Sequence, residues 1–412
     1  MTVTIKELTN HSYIDHELSA TLDSTEAFEG PEKLLEIWFY PNKTAIPVPK
    51  AKTLRSIAVE KWVHILKLVK CDVLSIKSTD TMDAFLLSES SLFVYDHKIT
   101  LKTCGTTTTL FCLEELFNVI EHELDWDLKH EDKKYFPYKV FYSRRCFMFP
   151  LKQRSIHKNW NDEVDYLNKF FCYGKSYMVG RNNQDDHWNL YVSDTRKDMQ
   201  SEENAENEND ETLEILMTGL DPACADKFVC NREVKDVVFS ENNDNKSNDD
   251  ADDEGHLLGY NMTKKTRLDK VYETDSNVSF HHDAFAFSPC GYSSNIILQN
   301  EYYYTLHVTP EKGWSYASFE SNVPVSLLAQ QTGKEQDNID VFGRVLDVFK
   351  PKDLCLTFFA KSMSNPSFQK LMKMSKNSIP HYKKMDRIIY DLDDYQLLYY
   401  KFQREEDVDG KI

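Results

Sequence analysis

Leu87-Ser88-Glu89-Ser90-Ser91-Leu92-Phe93-Val94 sets three serines and a glutamate inside an apolar run. On composition alone the octapeptide reads as a turn or an edge strand with exposed hydroxyls. Its flanks are strand-like: residues 72–77, 84–89 and 92–104 are rich in β-branched and aromatic side chains with partial alternation. Ahead of them Leu54, Ile57, Val59, Trp62, Ile65, Leu66 and Val69 recur at helical spacing and predict an amphipathic helix over 52–70. Helical period returns over 110–126. A comparable order recurs downstream, with strands at 279–287, 302–308 and 315–320 ahead of a helix at 339–349. Between the two lie a helix near 163–171 and strands near 176–179, 188–192 and 213–217. Hairpins with intervening helices predict a layered α+β architecture built from two similar halves, not alternating parallel βαβ units. No Gly-rich phosphate loop interrupts the pattern, and the chain has only 12 glycines.

The chain of 412 residues is long enough for a large core, and 41% hydrophobic with 13% aromatic residues places it among packed globules, despite a mean hydropathy of -0.56. Its net charge of -18 is unevenly spread: the acidic runs at 198–211 and 241–254 hold 13 of the excess negatives. The remaining body is nearly balanced and offers no basic face for phosphate backbones, so nucleic acid is not an expected partner. The N-terminus carries neither the apolar stretch of a signal peptide nor the Arg-rich character of a transit peptide, and no spanning segment follows, so no membrane is expected. Nine cysteines, with no CxxC pair and no histidine at zinc-finger spacing, predict no metal site and a reducing cytoplasm in which most thiols are inert core residues.

Motifs on both sides of the octapeptide raise its meaning. Phe28-Glu29-Gly30 precedes it and Lys102-Thr103-Cys104-Gly105-Thr106-Thr107 follows. Further on come Phe141-Tyr142-Ser143-Arg144, Thr212-Leu213-Glu214-Ile215-Leu216-Met217, Pro289-Cys290-Gly291-Tyr292-Ser293 and His307-Val308-Thr309-Pro310-Glu311. In this order and spacing the sequence resembles the eukaryotic S-adenosylmethionine decarboxylase proenzymes, in a fungal-like form, from about residue 26 to 350. Pro31 and Ser288 depart from animal forms that carry Thr and Asn there, and an acidic insert at about 236–268, expected as a solvated loop, has no animal counterpart. The resemblance implies a four-layer αββα sandwich of two antiparallel sheets with helices outside. It would occupy residues 25–400 as one domain, between a flexible extension at 1–24 and a polar tail at 401–412.

The resemblance also implies that the chain cuts itself between Glu89 and Ser90, into 1–89 and 90–412, and that Ser90 becomes a pyruvoyl group. That covalent cofactor would form a Schiff base with S-adenosylmethionine and act as the electron sink for its decarboxylation. The product would feed spermidine and spermine synthesis. Ser293 and His307 would serve processing, Cys104 would donate the proton to the substrate α-carbon, and Glu29 and Glu32 match acids near the active site. Phe28 and Phe287 would sandwich the adenine, Glu311 would take the ribose hydroxyls, and Leu87 and Glu89 would line the substrate site. In isolation His307 and Phe287 read as core residues, Cys104 as a structural thiol and Glu311 as a loop acid.

Glu36, Asp210, Glu214 and Glu320 match an acid cluster that binds putrescine as an activator, with Glu211 or Glu208 replacing Asp210 if the register slips. A homodimer of cleaved protomers is the implied assembly. The competing reading is a catalytically dead paralogue that activates a partner subunit, against which the intact Glu89/Ser90 junction, Cys104 and His307 argue.

Overall fold

In a computed structural model the described residues are 28–47, 52–129, 134–181, 186–194, 210–230, 254–375, 378–392 and 395–405. Sixteen strands among them form two eight-stranded antiparallel sheets. The first contains β1 (Lys33–Trp38), β2 (Val73–Ser78), β3 (Met82–Leu87), β4 (Ser90–Tyr95), β5 (Lys98–Thr103), β6 (Lys139–Arg145), β7 (Lys175–Arg181) and β8 (Asp186–Asp194). Its order is β2-β3-β4-β5-β1-β6-β8-β7. The second contains β9 (Glu211–Thr218), β10 (Phe280–Ala286), β11 (Tyr292–Leu298), β12 (Tyr302–Thr309), β13 (Tyr316–Ser321), β14 (Asp353–Ala360), β15 (Tyr382–Leu392) and β16 (Tyr395–Arg404). Its order is β10-β11-β12-β13-β9-β14-β16-β15. Counted from β9, the second order repeats the first strand for strand, so the likeness of the halves extends to complete topology.

Strand side chains alternate between faces, and that period builds four layers. Leu35, Ile37, Ile99 and Leu101 point out from the first sheet onto the helices Val59–Leu68 and Leu113–Leu124, whose apolar stripes include Trp62, Ile65, Leu116 and Phe117. Leu213, Ile215, Met217, Ala317 and Phe319 likewise meet Val341, Phe342 and Val345 of the helix Asn338–Phe349. The alternate residues face each other across the middle. Trp188, Leu190 and Val192 pack against Leu216, Tyr316 and Tyr399, and Phe93 stacks on Tyr303 with ring centroids 3.7 Å apart.

The structure differs from several sequence expectations. Residues 92–104 do not form one strand: the run breaks at Asp96-His97, where the His97 carbonyl accepts from the Phe39 N–H at 3.0 Å, and β4 and β5 become a hairpin. β11, beside the Pro289–Ser293 motif, is a strand that the sequence pattern does not predict, because Ser293-Ser294-Asn295 near its start masks the alternation. β16 runs four residues past the expected domain end at 400. Of the insert, 236–253 lie outside the described residues, as does the 1–24 extension, but Glu254–Thr266 is a helix, not a solvated loop. Gly255 and Gly259 let it lie flush on β10: a Cβ on Gly259 would stand 2.6 Å from the Phe285 nitrogen. No described helix is long and apolar enough to cross a membrane.

That close approach is to main chain, which cannot rotate aside. Gly259→Ala is expected to lower stability by about 1–3 kcal/mol, the usual range for overpacking, read as a reduced denaturant midpoint. An unchanged midpoint would show that this helix is not seated on the sheet.

Candidate active site

The β3–β4 hairpin turns through Ser88 and Glu89, with Leu87 paired to Ser90. Ser88 anchors it: its N–H donates to the Asp72 carbonyl at 2.8 Å, and its Oγ accepts from the Asp72 N–H at 3.0 Å. Ser90, the first residue after the turn, has φ of 125°, a region that side-chain-bearing residues rarely occupy. Such a conformation costs on the order of 1–3 kcal/mol and persists only where surrounding structure imposes it. Ser90 is fully buried and, among the described residues, its Oγ has no hydrogen-bond partner. Beside it the Glu89 carbonyl accepts from the Cys104 N–H at 3.0 Å and from the Cys104 thiol at 3.4 Å. A polarised carbonyl therefore adjoins an uncommitted hydroxyl.

Burial pushes the Glu89 carboxyl up to about 8. It holds the Cys104 thiol far above the ordinary thiol range for the same reason, with the Glu89 charge adding to the effect. Both groups are thus kept protonated at neutral pH. The loop carrying Cys104 is held by Glu29 and by two residues the sequence did not single out, Lys33 and Gln153. Lys33 Nζ and Gln153 Nε2 donate to the Gly105 carbonyl at 3.2 and 3.1 Å. The Gly105 N–H donates to the Glu29 carbonyl at 2.9 Å. Gly105 has φ of 63°, and a Cβ there would stand 2.7 Å from Glu89 Oε2 and 2.9 Å from the Phe28 ring. The Glu29 carboxylate in turn accepts from the Met148 and Phe149 N–H groups at 2.7 and 2.6 Å.

β11 and β12 present the second group of side chains from the opposite sheet. Ser293 and His307 are direct register partners, and His307 Nδ1 lies 3.0 Å from Ser293 Oγ. Its Nε2 lies 2.9 Å from Thr305 Oγ1 and 3.3 Å from Ser91 Oγ, so the ring reaches the residue next to Ser90. Burial, then the Lys102 charge, holds the imidazole well below its ordinary range. It is neutral at neutral pH and free to take a proton.

Glu311 Oε2 accepts from the Phe28 N–H at 2.9 Å and from Trp314 Nε1 at 2.6 Å, which joins two candidates 283 residues apart. Phe287 packs its ring on Phe285, centroids 4.9 Å apart, and the two clamp candidates Phe28 and Phe287 share no ring contact among the described residues.

The four acids of the cluster separate into two pairs. Glu214 and Glu320 accept from Lys102 Nζ at 3.2 and 2.8 Å, and Glu32 lies 3.7 Å from the same ammonium. Glu32 also accepts from Ser318 Oγ at 2.6 Å and Tyr316 O–H at 3.1 Å. Burial raises its carboxyl to about 7, against the pull of Lys102. Glu36 accepts from Thr100 Oγ1 at 3.0 Å and from Trp38 Nε1. Its carboxyl is raised first by burial, with the nearby Asp210 charge contributing. Asp210 accepts from Tyr395 O–H. Glu211 turns to the helical face, onto Asn338, Asn365 and Ser367, and Glu208 lies outside the described residues. Lys102 opens the motif that contains Cys104 and Gly105, but nothing in its spacing marks it as the counterion of three distant acids.

A family model for adenosylmethionine decarboxylase matches residues 25–403. The chain is 62% identical over 409 residues to the S-adenosylmethionine decarboxylase proenzyme of Saccharomyces cerevisiae, covering 98% of this chain and 100% of that one. Identity to the proenzyme of Drosophila melanogaster is 33% over 389 residues, 92% of this chain and 96% of the relative. The fold resembles the crystal structure of a Trypanosoma brucei AdoMetDC-delta26 monomer, with a TM-score of 0.50 at 18% identity, covering 76% of this chain and 99% of that one.

The raised Glu89 carboxyl has a measurable sign. The folded chain holds a proton that the unfolded chain releases near 4.5, so the stability this supplies is complete below that pH and is lost as pH rises through about 8. Between these values Ser90→Ala protein, which keeps the Glu89/Ser90 bond in the proposal below, should lose up to about 1.4 kcal/mol per pH unit through this group. Adding Glu89→Gln should remove that component and leave a shallower slope due to the other buried acids whose carboxyls burial raises, Glu32 and Glu36 among them. Parallel slopes in denaturant titrations from pH 5 to 8 would refute the buried acid.

Proposed function

The chain belongs to the adenosylmethionine decarboxylase family, and we propose that its Glu89/Ser90 junction is the self-processing site. The protein is a lyase: a proenzyme that becomes a pyruvoyl-dependent decarboxylase, converting S-adenosylmethionine to decarboxylated S-adenosylmethionine and carbon dioxide for spermidine and spermine synthesis. The observation that carries the site assignment is the buried Ser90, held at positive φ with a free Oγ beside a carbonyl bound by Cys104.

Ser90 Oγ attacks the Glu89 carbonyl carbon, and the oxygen that gains charge is already bound by the Cys104 N–H and thiol. Fixed proximity and the strained backbone lower the barrier to this first step. The peptide C–N bond then breaks as the Ser90 hydroxyl proton passes to its nitrogen, leaving an ester and a free Ser90 amine. His307 removes the Ser90 α-proton, the electron pair forms the Cα=Cβ bond, and the Cβ–O bond breaks to release Glu89 as a carboxylate. Hydrolysis of the resulting dehydroalanine with water yields the ketone and ammonia. Once formed, the pyruvoyl carbonyl supplies the electron sink that loss of carbon dioxide requires.

Cys104 is suited to deliver a proton to the substrate α-carbon because burial keeps its thiol protonated. Phe28 and Phe287 are read as the faces for adenine. With Glu311 Oε2 already committed to Phe28 and Trp314, Oε1 is the oxygen left for the ribose hydroxyls. Glu29 and Glu32 act through the elements they tie together, and Leu87 and Glu89 border the reacting centre. Nothing favours the dead activating paralogue. The family reading further puts the cleaved protein in the cytoplasm as a homodimer, which light scattering tests as twice the mass of the 48.2 kDa chain.

Putrescine is proposed as an activator. Lys102 already serves Glu214 and Glu320, so one ammonium of the dication belongs with Glu36 and Asp210, whose mutual repulsion it would relieve. The effect would pass through Tyr303, which donates to Glu320 at 2.7 Å, to the Lys102 cluster and Glu32.

Two measurements test these readings. On denaturing gels the wild-type chain should run as fragments of 89 and 323 residues, while Ser90→Ala should stay whole and inactive. A whole, active Ser90→Ala enzyme would remove the assignment. Putrescine should raise the wild-type rate several-fold, the scale of a coupling of about 1–3 kcal/mol. Asp210→Asn should blunt that response more than it changes the KM for S-adenosylmethionine, and equal responses in both proteins would show that Asp210 is structural.

A further inference from the structure

We propose that Thr305, oriented by Asn295 and assisted by Ser91, is a positioning residue that fixes the tautomer of His307, placing the ring proton on Nε2 and the basic lone pair on Nδ1. The proposal rests on the reading of His307 as the processing base, and it identifies which nitrogen acts.

The argument is a count of donors and acceptors. The Phe85 carbonyl can only accept, and the Asn295 side chain meets it through Nδ2 at 3.1 Å. That contact orients the amide, so Asn295 Oδ1 must face the two hydroxyls. Ser91 Oγ donates to it at 2.7 Å, and Thr305 Oγ1 stands 3.0 Å from it. Thr305 Oγ1 also stands 2.9 Å from the Ser294 carbonyl, a second pure acceptor. A hydroxyl has one proton. If Thr305 spent it on His307 Nε2, its oxygen would face two carbonyl oxygens with nothing between, in a fully buried site where such repulsion is not screened. Both hydroxyl protons therefore point away from the imidazole, and both oxygens offer lone pairs to Nε2, at 2.9 Å from Thr305 and 3.3 Å from Ser91. Nε2 carries the hydrogen. Nδ1 is then left to accept from the Ser293 hydroxyl at 3.0 Å.

One backbone carbonyl on the first sheet thus sets, through Asn295 and Thr305, which ring nitrogen on the second sheet is basic. In the elimination the Ser90 α-proton goes to Nδ1, the carbon pair forms Cα=Cβ, and the ester oxygen leaves with the Glu89 carboxylate. Ser293, as the hydroxyl lying on Nδ1, must give way to that proton, so the two residues are needed at the same step.

The test uses the full chain. In uncut Ser90→Ala protein with 15N-labelled histidine, the His307 signals are identified by their loss in His307→Gln. Their proton coupling should place the hydrogen on Nε2. Thr305→Val, close in shape but without an acceptor, should move the hydrogen toward Nδ1. In the cleavable chain it should slow ester elimination about 10-fold or more, with hydroxylamine releasing the accumulated ester, while Thr305→Ser should restore most of the rate. If Thr305→Val does not fold, Asn295→Leu, which takes the shared acceptor from both hydroxyls, should shift the spectrum and the rate the same way. A hydrogen on Nδ1 in the unaltered network, a wild-type rate in Thr305→Val, or a slowed rate with an unmoved tautomer would each overturn the proposal. Wild-type cutting by His307→Ala would instead remove the base reading while leaving the tautomer result standing.

Discussion

The hydrogen bond of 3.0 Å from the Cys104 N–H to the Glu89 carbonyl ties the end of β5 to the β3–β4 turn. Together with the Ser88–Asp72 bonds it fixes the turn in which Ser90 has φ of 125°. Ser90 pairs with Thr103, the last residue of β5, so the two strands present the junction and Cys104 as one rigid unit. Lys33, Gln153 and Glu29 then hold Gly105 from behind. A strained residue needs this kind of over-determination, because the supports together must cost more to break than the strain they maintain.

The space between the sheets is the second constraint. Most of it is apolar, yet the inward positions of β1, β5, β9 and β13 include Glu36, Lys102, Glu214 and Glu320. Burying one ammonium among three carboxylates is expensive unless every partner is close, and such groups usually add little net stability over a well-packed apolar core. Their value here is positional. Lys102 ties acids from both sheets together and lies close enough to lower the proton affinity of His307. A change of charge near Glu36 and Asp210 therefore has a physical route toward the reacting centre.

The repeated strand order explains why neither half suffices. The first sheet supplies the junction, Cys104 and Ser91, and the second supplies Ser293, Thr305 and His307. The facing arrangement brings residues more than 200 positions apart into hydrogen-bond range. Each half contributes by the same rule, since a strand alternates its side chains and the inward set is free to carry polar groups only where a partner stands opposite. Ser91, Asn295, Thr305 and His307 all occupy such inward positions.

Local information in the chain determined a good deal. Helical period marked the helices Val59–Leu68, Leu113–Leu124 and Asn338–Phe349, the first of them expected seven residues too early, β-branched and aromatic runs marked most of the strands around Glu89 and Ser90, and the order of motifs from Phe28 to Glu311 pointed to the family. The strand pattern failed where polar inward positions hid it, as at β11, and where an Asp-His corner divided one apparent strand into β4 and β5. Only the tertiary structure decided that Lys33 and Gln153 hold Gly105, that Lys102 bridges Glu214 and Glu320 while Glu36 feels the charge of Asp210, and that Asn295 and Thr305 join the network around His307. These relations depend on which inward side chains meet across two sheets. Spacing along the chain records the face a residue occupies but not its partner on the opposite sheet, because that pairing is set by how the two sheets dock.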